Sequence, residues 1–577
     1  MSLLIAFVGP SARTGLAEAA AQRAIGAAHE QGFAQPQSLV WQGGSALWFA
    51  TPGNPRGSGA CAVQGSDFAA CVGTAHWKGL AGQALLTRLL AEFDRPQDMP
   101  LRDLSGGFAM LFARQGQVWL FNDAVGLQKI YSSALGSILS TSLLVCRAAL
   151  QQPQLNRLRA QEYVLLGANH ATQTPLEGLQ ILDPTQALEL RGGKAVLLHP
   201  APAWRMPAAF KSPAEAVATL SDMIAGNFSS MLQAYGPSVG MALSGGFDSR
   251  LLLAALRHQG VAPHLYVYGR PDLDDVRIAS AKAHELGLPI ECIDKVSANA
   301  ALPQLSPTLL RENLAFFDGL PVDGVFDRGT DRATRLAQVA GGMLNLNGGG
   351  GEIFRNFFYL PGRAYSANDL VGAFYSNWLP RAIANADERR AFTAATADGI
   401  LTCIGFESGS NKLRSQVLSR SDVELVYTLF RLRWWMARNN TVAARHGAFM
   451  TPLVQPRLVE LAAQVPVAWK TFGELEAAII TRLSPAVARG PSNYGFDFSQ
   501  GPSAAHQRYI KATLFRPIGV RRFSARIRRL LGRNPTVSAP NEWLHAFRLP
   551  KVDWIDTAYL TEIPQFNRLC TLCALLE

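Results

Sequence analysis

The chain has 577 residues, 48% of them hydrophobic and 17% charged, with a net charge of +11 at pH 7. That length allows a sizeable core and several domains, and the composition excludes global disorder, a collagen-like repeat or a disulfide miniprotein. No run of 18 apolar residues occurs and the first residues lack a basic region, so the expectation is a cytosolic protein with neither a signal peptide nor a membrane span.

From the start to about residue 150, short alternating apolar runs at 2–9, 45–53, 66–76 and 106–126 predict strands, and 81–94 predicts a helix. Prolines at 200, 202 and 207 mark a boundary near 205. Beyond it the period changes. Helix is expected at 214–236, 248–260 and 274–287, and strand at 238–243, 264–269 and 289–294. That alternation predicts a doubly wound parallel sheet with right-handed crossovers. Helical patterns dominate after 360, including a long one at 421–447.

Seven cysteines, an odd number scattered along the chain, point to reduced structural thiols. Cys570 and Cys573 form the one close pair, and with no second pair nearby no zinc site is expected. The stretch 501–540 carries nine Lys and Arg and no acid. It reads as a solvated basic helix or as a sleeve for an anionic ligand or acidic partner, and no nucleic-acid-binding motif accompanies it.

The most informative residues are Ser244, Gly245, Gly246, Phe247, Asp248 and Ser249, between a predicted strand ending at Leu243 and a predicted helix. A helix N-terminus offers backbone N–H groups to phosphate, glycines allow close approach, and the two serine hydroxyls add donors. Asp248 is a candidate ligand for the Mg2+ that accompanies phosphates. A Walker A loop is absent. Two more stretches follow predicted strands and converge on the same crevice: Tyr268 and Gly269, with Asp274 and Asp275 at a helix start, and Asn347 through Gly349, Gly350 and Gly351 to Glu352. Glu352 is a second candidate metal ligand; N-capping is the plain alternative for these acids.

The Ser-Gly-Gly-x-Asp-Ser string resembles the pyrophosphate loop of the ATP-pyrophosphatase ligases. Taken with Leu104 to Ala109, Asn122 to Gly126, Met450 to Leu453, Pro466, Lys470 and the stretch from Arg489 to Phe496, the chain resembles the asparagine synthetase B family. The resemblance implies an α/β protein: an Ntn-type, amidotransferase-like α+β domain over 1–205, then over 206–577 an ATP-pyrophosphatase (asparagine synthetase) domain with a doubly wound parallel sheet and a helical extension. It implies ATP and Mg2+. The ATP and pyrophosphate contacts are Leu243, Ser244, Gly245, Gly246, Asp248, Ser249, Tyr268, Gly269, Gly349 and Gly350; the metal ligands are Asp248 and Glu352; the catalytic residues are Asp248, Glu352 and Lys470.

Departures from the family redirect the function. Glutamine-hydrolysing members carry a cysteine after the initiator methionine, whereas this chain carries Ser2, a far weaker nucleophile, so no ammonia release from glutamine is expected. Gly351 replaces the first acid of an Asp-Glu pair, Gln455 an aspartate, and Ser492 and Asn493 stand where a lysine is expected, leaving Lys470, Arg489 or an arginine of 508–533 to supply a cation. The amine would then belong to the substrate, as in cyclases that close the isopeptide ring of a lasso peptide, with a precursor-processing protease as partner. Trp434, Trp435, Tyr494, Phe496 and Phe498 are available to line a peptide pocket, or serve as core. The alternatives are an asparagine synthetase-like ligase using ammonia on aspartate or another small carboxylate, and a nucleotide-binding scaffold without catalysis.

Overall fold

The computed structural model describes residues 2–9, 15–51, 59–133, 137–169, 172–198, 204, 210–319, 326–374, 380–406, 416–531 and 552–577. Period-two patterning in the N-terminal part yields two antiparallel sheets. One runs, in spatial order, Leu179–Ile181, Tyr131–Ser133, Ile138–Ser140, Leu3–Val8, Gly44–Phe49 and Gln37–Trp41. The other runs Lys194–Leu198, Ala187–Arg191, Gln117–Asn122, Ser105–Arg114, Asp67–Trp77 and Ala60–Gln64, with the short Leu80–Ala81 against Asp67–Trp77.

The sheets stack face to face, burying Leu4, Ala6 and Val8 of one against Ala70, Val72 and Leu111 of the other. Residues of opposite parity point outward. Leu3, Ile5 and Phe7 meet Ala24 and Ala28 of the Gly15–Glu30 helix, while Phe108, Met110 and Phe112 meet Leu85, Leu86 and Leu89 of the Gly82–Glu92 helix. The result is four layers, helix, sheet, sheet and helix. Strands covered on both faces read as unbroken apolar runs, as Leu3–Val8 does. The Gly15–Glu30 helix went unread in the sequence because its packed side is mostly alanine.

The third sheet is wholly parallel, in the order Ile290–Ile293, His264–Tyr268, Val239–Ala242, Leu344–Leu346, Phe449–Met450. Numbered along the chain, these strands lie 3-2-1-4-5, so the order reverses between the first and fourth. In a doubly wound sheet that switch point opens a crevice at the carboxyl ends of the strands. Its two walls are the loops after Ala242 and after Leu346. The helices Pro213–Tyr235, Phe247–His258 and Asp274–Glu285 fall where the sequence places them. Ser212 caps the first, its Oγ accepting from the Glu215 N–H at 3.2 Å.

The long helical pattern after 420 is one continuous rod with an unexpected middle. Arg420–Val426 and Ala437–Ala444 are α-helical, but Tyr427–Met436 is a π-helix, a rare form that often marks functional sites. The rod ties the two parts of the chain together. Arg433 Nε donates to Val125 O at 2.7 Å, Lys129 Nζ donates to Arg433 O at 2.7 Å, and the Lys129 ammonium lies 4.6 Å from the Trp434 ring centroid. Burial holds the Lys129 ammonium well below its usual pKa.

The C-terminal helix Ile563–Leu576 also returns to the N-terminal half. Arg568 Nε and Nη2 donate to Val164 O at 2.9 and 2.8 Å, and Arg147 Nε donates to Leu575 O at 2.9 Å. Leu143, Cys146, Tyr163 and Leu179 accordingly share one apolar cluster with the parallel sheet. The boundary expected at 205 lies in 205–209, which with 199–203 are outside the described residues. Cys570 and Cys573 are buried on this helix, where burial pushes the Cys573 thiol up to about 11. Among the described residues no helix is long and apolar enough to cross a membrane.

Leu111 is fully buried between the stacked sheets. Leu111→Ala is expected to cost about 2–5 kcal/mol, read as a lowered urea midpoint with an unchanged slope.

Candidate functional site

The loop after the first parallel strand is closed by its own polar groups. Leu243 N–H donates to Tyr266 O at 2.8 Å, which continues the sheet pairing. Ser244 N–H donates to Ser249 Oγ at 3.0 Å, the two serine hydroxyls lie 2.9 Å apart, and Gly246 N–H donates to Ser244 Oγ at 3.2 Å. No side chain caps the Phe247–His258 helix, whose N-cap is Gly246. Its first-turn N–H groups therefore have no partner within the helix or at a capping side chain, the usual situation at an anion-binding N-terminus.

One N–H of this loop is already engaged by a carboxylate. Gly245 N–H donates to Asp275 Oδ1 at 2.7 Å, Asn493 Nδ2 donates to the same oxygen, and Asn493 N–H donates to Gly245 O at 3.1 Å. Asp274 instead faces Arg277. A Cβ on Gly245 would collide with the Asn493 amide.

The opposite wall is the glycine run. Gly349 N–H donates to Asn347 Oδ1 at 2.6 Å and Gly350 N–H to Glu352 Oε2 at 3.2 Å, while Tyr427 OH donates to the same Glu352 oxygen. The π-helix supplies that tyrosine and also seats Met436 where a Cβ on Gly349 would go. Gly351 has no room for a side chain, because a Cβ there would meet Asp248 Oδ1. The missing acid at 351 is thus a steric consequence of how closely the two loops approach.

Between the walls sits a charge cluster centred on Arg355. Its Nη2 donates to Asp248 Oδ1 at 2.6 Å, its Nε lies 2.8 Å from Glu476 Oε2, and its Nη1 donates to Tyr494 OH at 3.0 Å. Glu476 is fully buried on the Glu474–Leu483 helix. Burial pushes its carboxyl well above the usual range, against the pull of Arg355. Burial, with Glu352 adding to it and Arg355 opposing it, pushes Asp248 up to about 6. Burial also raises Tyr494 to about 12. Phe247, Glu352, Arg355, Tyr359, Tyr494 and His506 are among the residues lining a cavity of 180 Å³ beside the cluster.

Of the residues singled out in the sequence, Leu243, Ser244, Gly245, Gly246, Asp248, Ser249, Gly349, Gly350 and Glu352 come together at the switch point. Tyr268 and Gly269 lie one strand away. The Tyr268 hydroxyl accepts from Gln338, its ring lies 4.4 Å from the Lys295 ammonium, and Gly269 N–H donates to Ile293 O at 3.1 Å. Lys470 is elsewhere: fully buried, its Nζ donates to Glu424 Oε2 and Ala462 O, both at 2.6 Å, and it does not line the cavity. Gln455 caps the Pro456–Gln464 helix through Leu458 N–H at 2.8 Å and reaches Arg102 O at 3.2 Å.

Tyr494 lines the cavity, Phe498 stacks under Phe247 with centroids 4.1 Å apart, and Phe496 packs beside it as core. Trp434 and Trp435 serve the rod, Trp435 stacking on Arg431 at 3.9 Å. The sequence reading missed Arg355, Glu476 and Tyr427. The one available signal was the position of Arg355, three residues after Glu352 on the same loop. The cation at the cavity is thus Arg355, not Lys470. Asp248 and Glu352 offer hard oxygen donors suited to a divalent cation with phosphate ligands, although Arg355 now holds one Asp248 oxygen.

No family model matches the chain, and no curated protein matches it in sequence. Among solved structures, the glutamine phosphoribosylpyrophosphate amidotransferase of B. subtilis complexed with ADP and GMP is similar at 10% identity and a TM-score of 0.22, over 54% of this chain and 70% of that one. A structure described as the allosteric regulatory enzyme of purine biosynthesis is similar at 10% identity and a TM-score of 0.22, over 51% of this chain and 65% of its own.

The Asp248 shift fixes a pH dependence. Its folded pKa, about 6, exceeds the ordinary 3.8, so the folded state binds more protons between these values and stability falls as pH rises through them. Asp248→Asn removes that slope. Relative to wild type, the variant is expected to gain on the order of 1–3 kcal/mol in going from about pH 4 to pH 7, measured as paired urea melts.

Proposed function

We propose that the chain is an ATP-dependent, AMP-forming ligase that adenylates a carboxylate, releases pyrophosphate and joins the acyl group to an amine. The observation that carries this reading is the uncapped helix N-terminus after the first parallel strand, which bears Asp248 in its first turn and faces Glu352 across the switch point. The N–H groups of that helix would bind the phosphates, with Asp275 yielding the Gly245 N–H to them. Asp248 and Glu352 would hold Mg2+, which when bound offsets phosphate charge. Arg355, displaced from Asp248, would face the negative charge that develops on the oxygens of the reacting phosphoryl and acyl groups, the work a lysine does in the family the sequence resembles. Tyr494 OH and Tyr427 OH hold Arg355 and Glu352 in place.

The amine is inferred to come from the substrate itself. Ser2 is fully buried, its Oγ donating to Cys71 O at 3.3 Å, and a Cβ on Gly59 would collide with it. A hydroxyl so enclosed supports a structural N-terminal domain. The finer reading is a cyclase that joins a peptide's N-terminal amine to one of its own side-chain carboxylates, as in lasso peptides. Holding the two groups together contributes up to roughly 7–11 kcal/mol to such a closure. The cavity volume favours a second reading. At 180 Å³ it suits an acyl side chain or a small carboxylate such as aspartate with ammonia, so a folded peptide would have to rest outside it.

The test is nucleotide product analysis with Mg-ATP and, in separate arms, aspartate plus ammonium, aspartate plus glutamine, and a peptide bearing a free amine and a side-chain carboxylate. AMP and pyrophosphate in the peptide arm support the cyclase; asparagine in the ammonium arm establishes the small-carboxylate ligase. Failure to bind ATP at all overturns both. Asp248→Ala and Arg355→Ala are each expected to lower turnover by at least ~10²-fold, whereas Ser2→Ala leaves it within about twofold. Glutamine-dependent turnover lost in Ser2→Ala would overturn the account of the N-terminal domain.

A further inference from the structure

The Ile518–Leu530 helix presents its apolar stripe outward. At about 100° per residue, Val520, Phe523, Ile527 and Leu531 align on one side. Phe523 is 61% exposed, Leu531 66%, and Val520 and Ile527 are also exposed. Tyr509 on the preceding Ala504–Leu514 helix and Phe515 just after it are exposed as well. Arg521, Arg522, Arg526, Arg528 and Arg529 occupy other positions of the same helix, and no acid occurs anywhere in 501–540.

The helix is fastened to the body of the protein. Arg521 Nη1 donates to Phe358 O at 3.1 Å, and Nη2 donates to Thr513 O at 3.0 Å and to Tyr359 O. Ile518 packs on the main core. Tyr359, held by that clamp, lines the cavity of the candidate site. The stripe therefore sits on a helix fixed to the segment that lines the cavity.

We propose that this helix docks the protein on an anionic lipid bilayer, lying in the plane of the interface. An occupant must bury a row of large apolar side chains and at the same time meet a dense positive charge that no acid of the segment offsets. A leaflet containing anionic lipid does both: the acyl boundary takes the stripe and the headgroup phosphates take the charge. With 13 residues, the helix is far too short to span a bilayer. An acidic polypeptide would match the charge alone.

The test is co-sedimentation of the full chain with phosphatidylcholine vesicles, with or without roughly one-third phosphatidylglycerol. Wild type is expected to bind the anionic vesicles at least ~10-fold more than the neutral ones. The double substitution Phe523→Asp with Ile527→Asp is expected to reduce this to the neutral-vesicle level, with its thermal midpoint unchanged because both positions are exposed. Arg522→Glu with Arg526→Glu is expected to weaken binding and reduce its salt dependence. Equal binding to both vesicle types overturns the proposal, as does anionic-vesicle binding that the apolar substitutions leave intact. Poly-glutamate binding as tight as vesicle binding would also overturn it, showing an acidic-polypeptide site instead.

Discussion

One half-buried guanidinium organises the half of this molecule built on the parallel sheet. Arg355 meets a carboxylate from the Phe247–His258 helix, a carboxyl from the Glu474–Leu483 helix and the Tyr494 hydroxyl from the segment beyond them. Taking such groups out of water is costly, and the arrangement persists only because each finds an opposite charge or a donor within hydrogen-bond reach. The surrounding sequence follows from that demand. Glycine at 351 lets Asp248 come close, the π-helix delivers Tyr427 to Glu352 and Met436 to the glycine run, and the Phe247, Phe496 and Phe498 rings pack at the edge of the cluster.

Most of the parallel sheet was legible in the sequence. Its first three strands are short runs bounded by Gly, Pro or Asp, and the first two are each followed by a helix of clear period. The loops carrying Asp248 and Glu352 could be placed at one crevice because strand order in such sheets obeys a chirality rule. The partners of those acids were not legible. Arg355 and Glu476 are 121 residues apart, 476 minus 355, and nothing in local periodicity says that a charged position on an otherwise amphipathic helix faces inward. Lys470 shows the converse. Its spacing from the family's other signatures singled it out, yet its burial against Glu424 could be read only from three dimensions. The π-helix was equally hidden, since its sequence has the apolar content of any buried helix.

The departures from the asparagine synthetase pattern form a set. Acids are missing at 351 and 455 and a base at 492–493, so the departures remove charge of both signs. Asn493 is the smaller, neutral donor that can share Asp275 with the Gly245 N–H without bringing a cation into the loop. Gln455 turns from the crevice to cap a helix and touch the N-terminal part through Arg102 O. Each substitution is matched by a neighbour that uses the space or the hydrogen bond it leaves.

Asp275 has a consequence for selectivity. Because its carboxylate already rests on the Gly245 N–H, the loop is never a vacant receptor; an incoming anion must win an exchange against a tethered resident of unit charge. The local concentration of that resident is fixed by the fold and cannot be diluted away. A monoanion gains little from the swap. A polyanion that takes the Gly245 N–H and the uncapped helix turn together gains contacts the resident cannot make, so the loop acts as a threshold that ranks ligands by charge and reach.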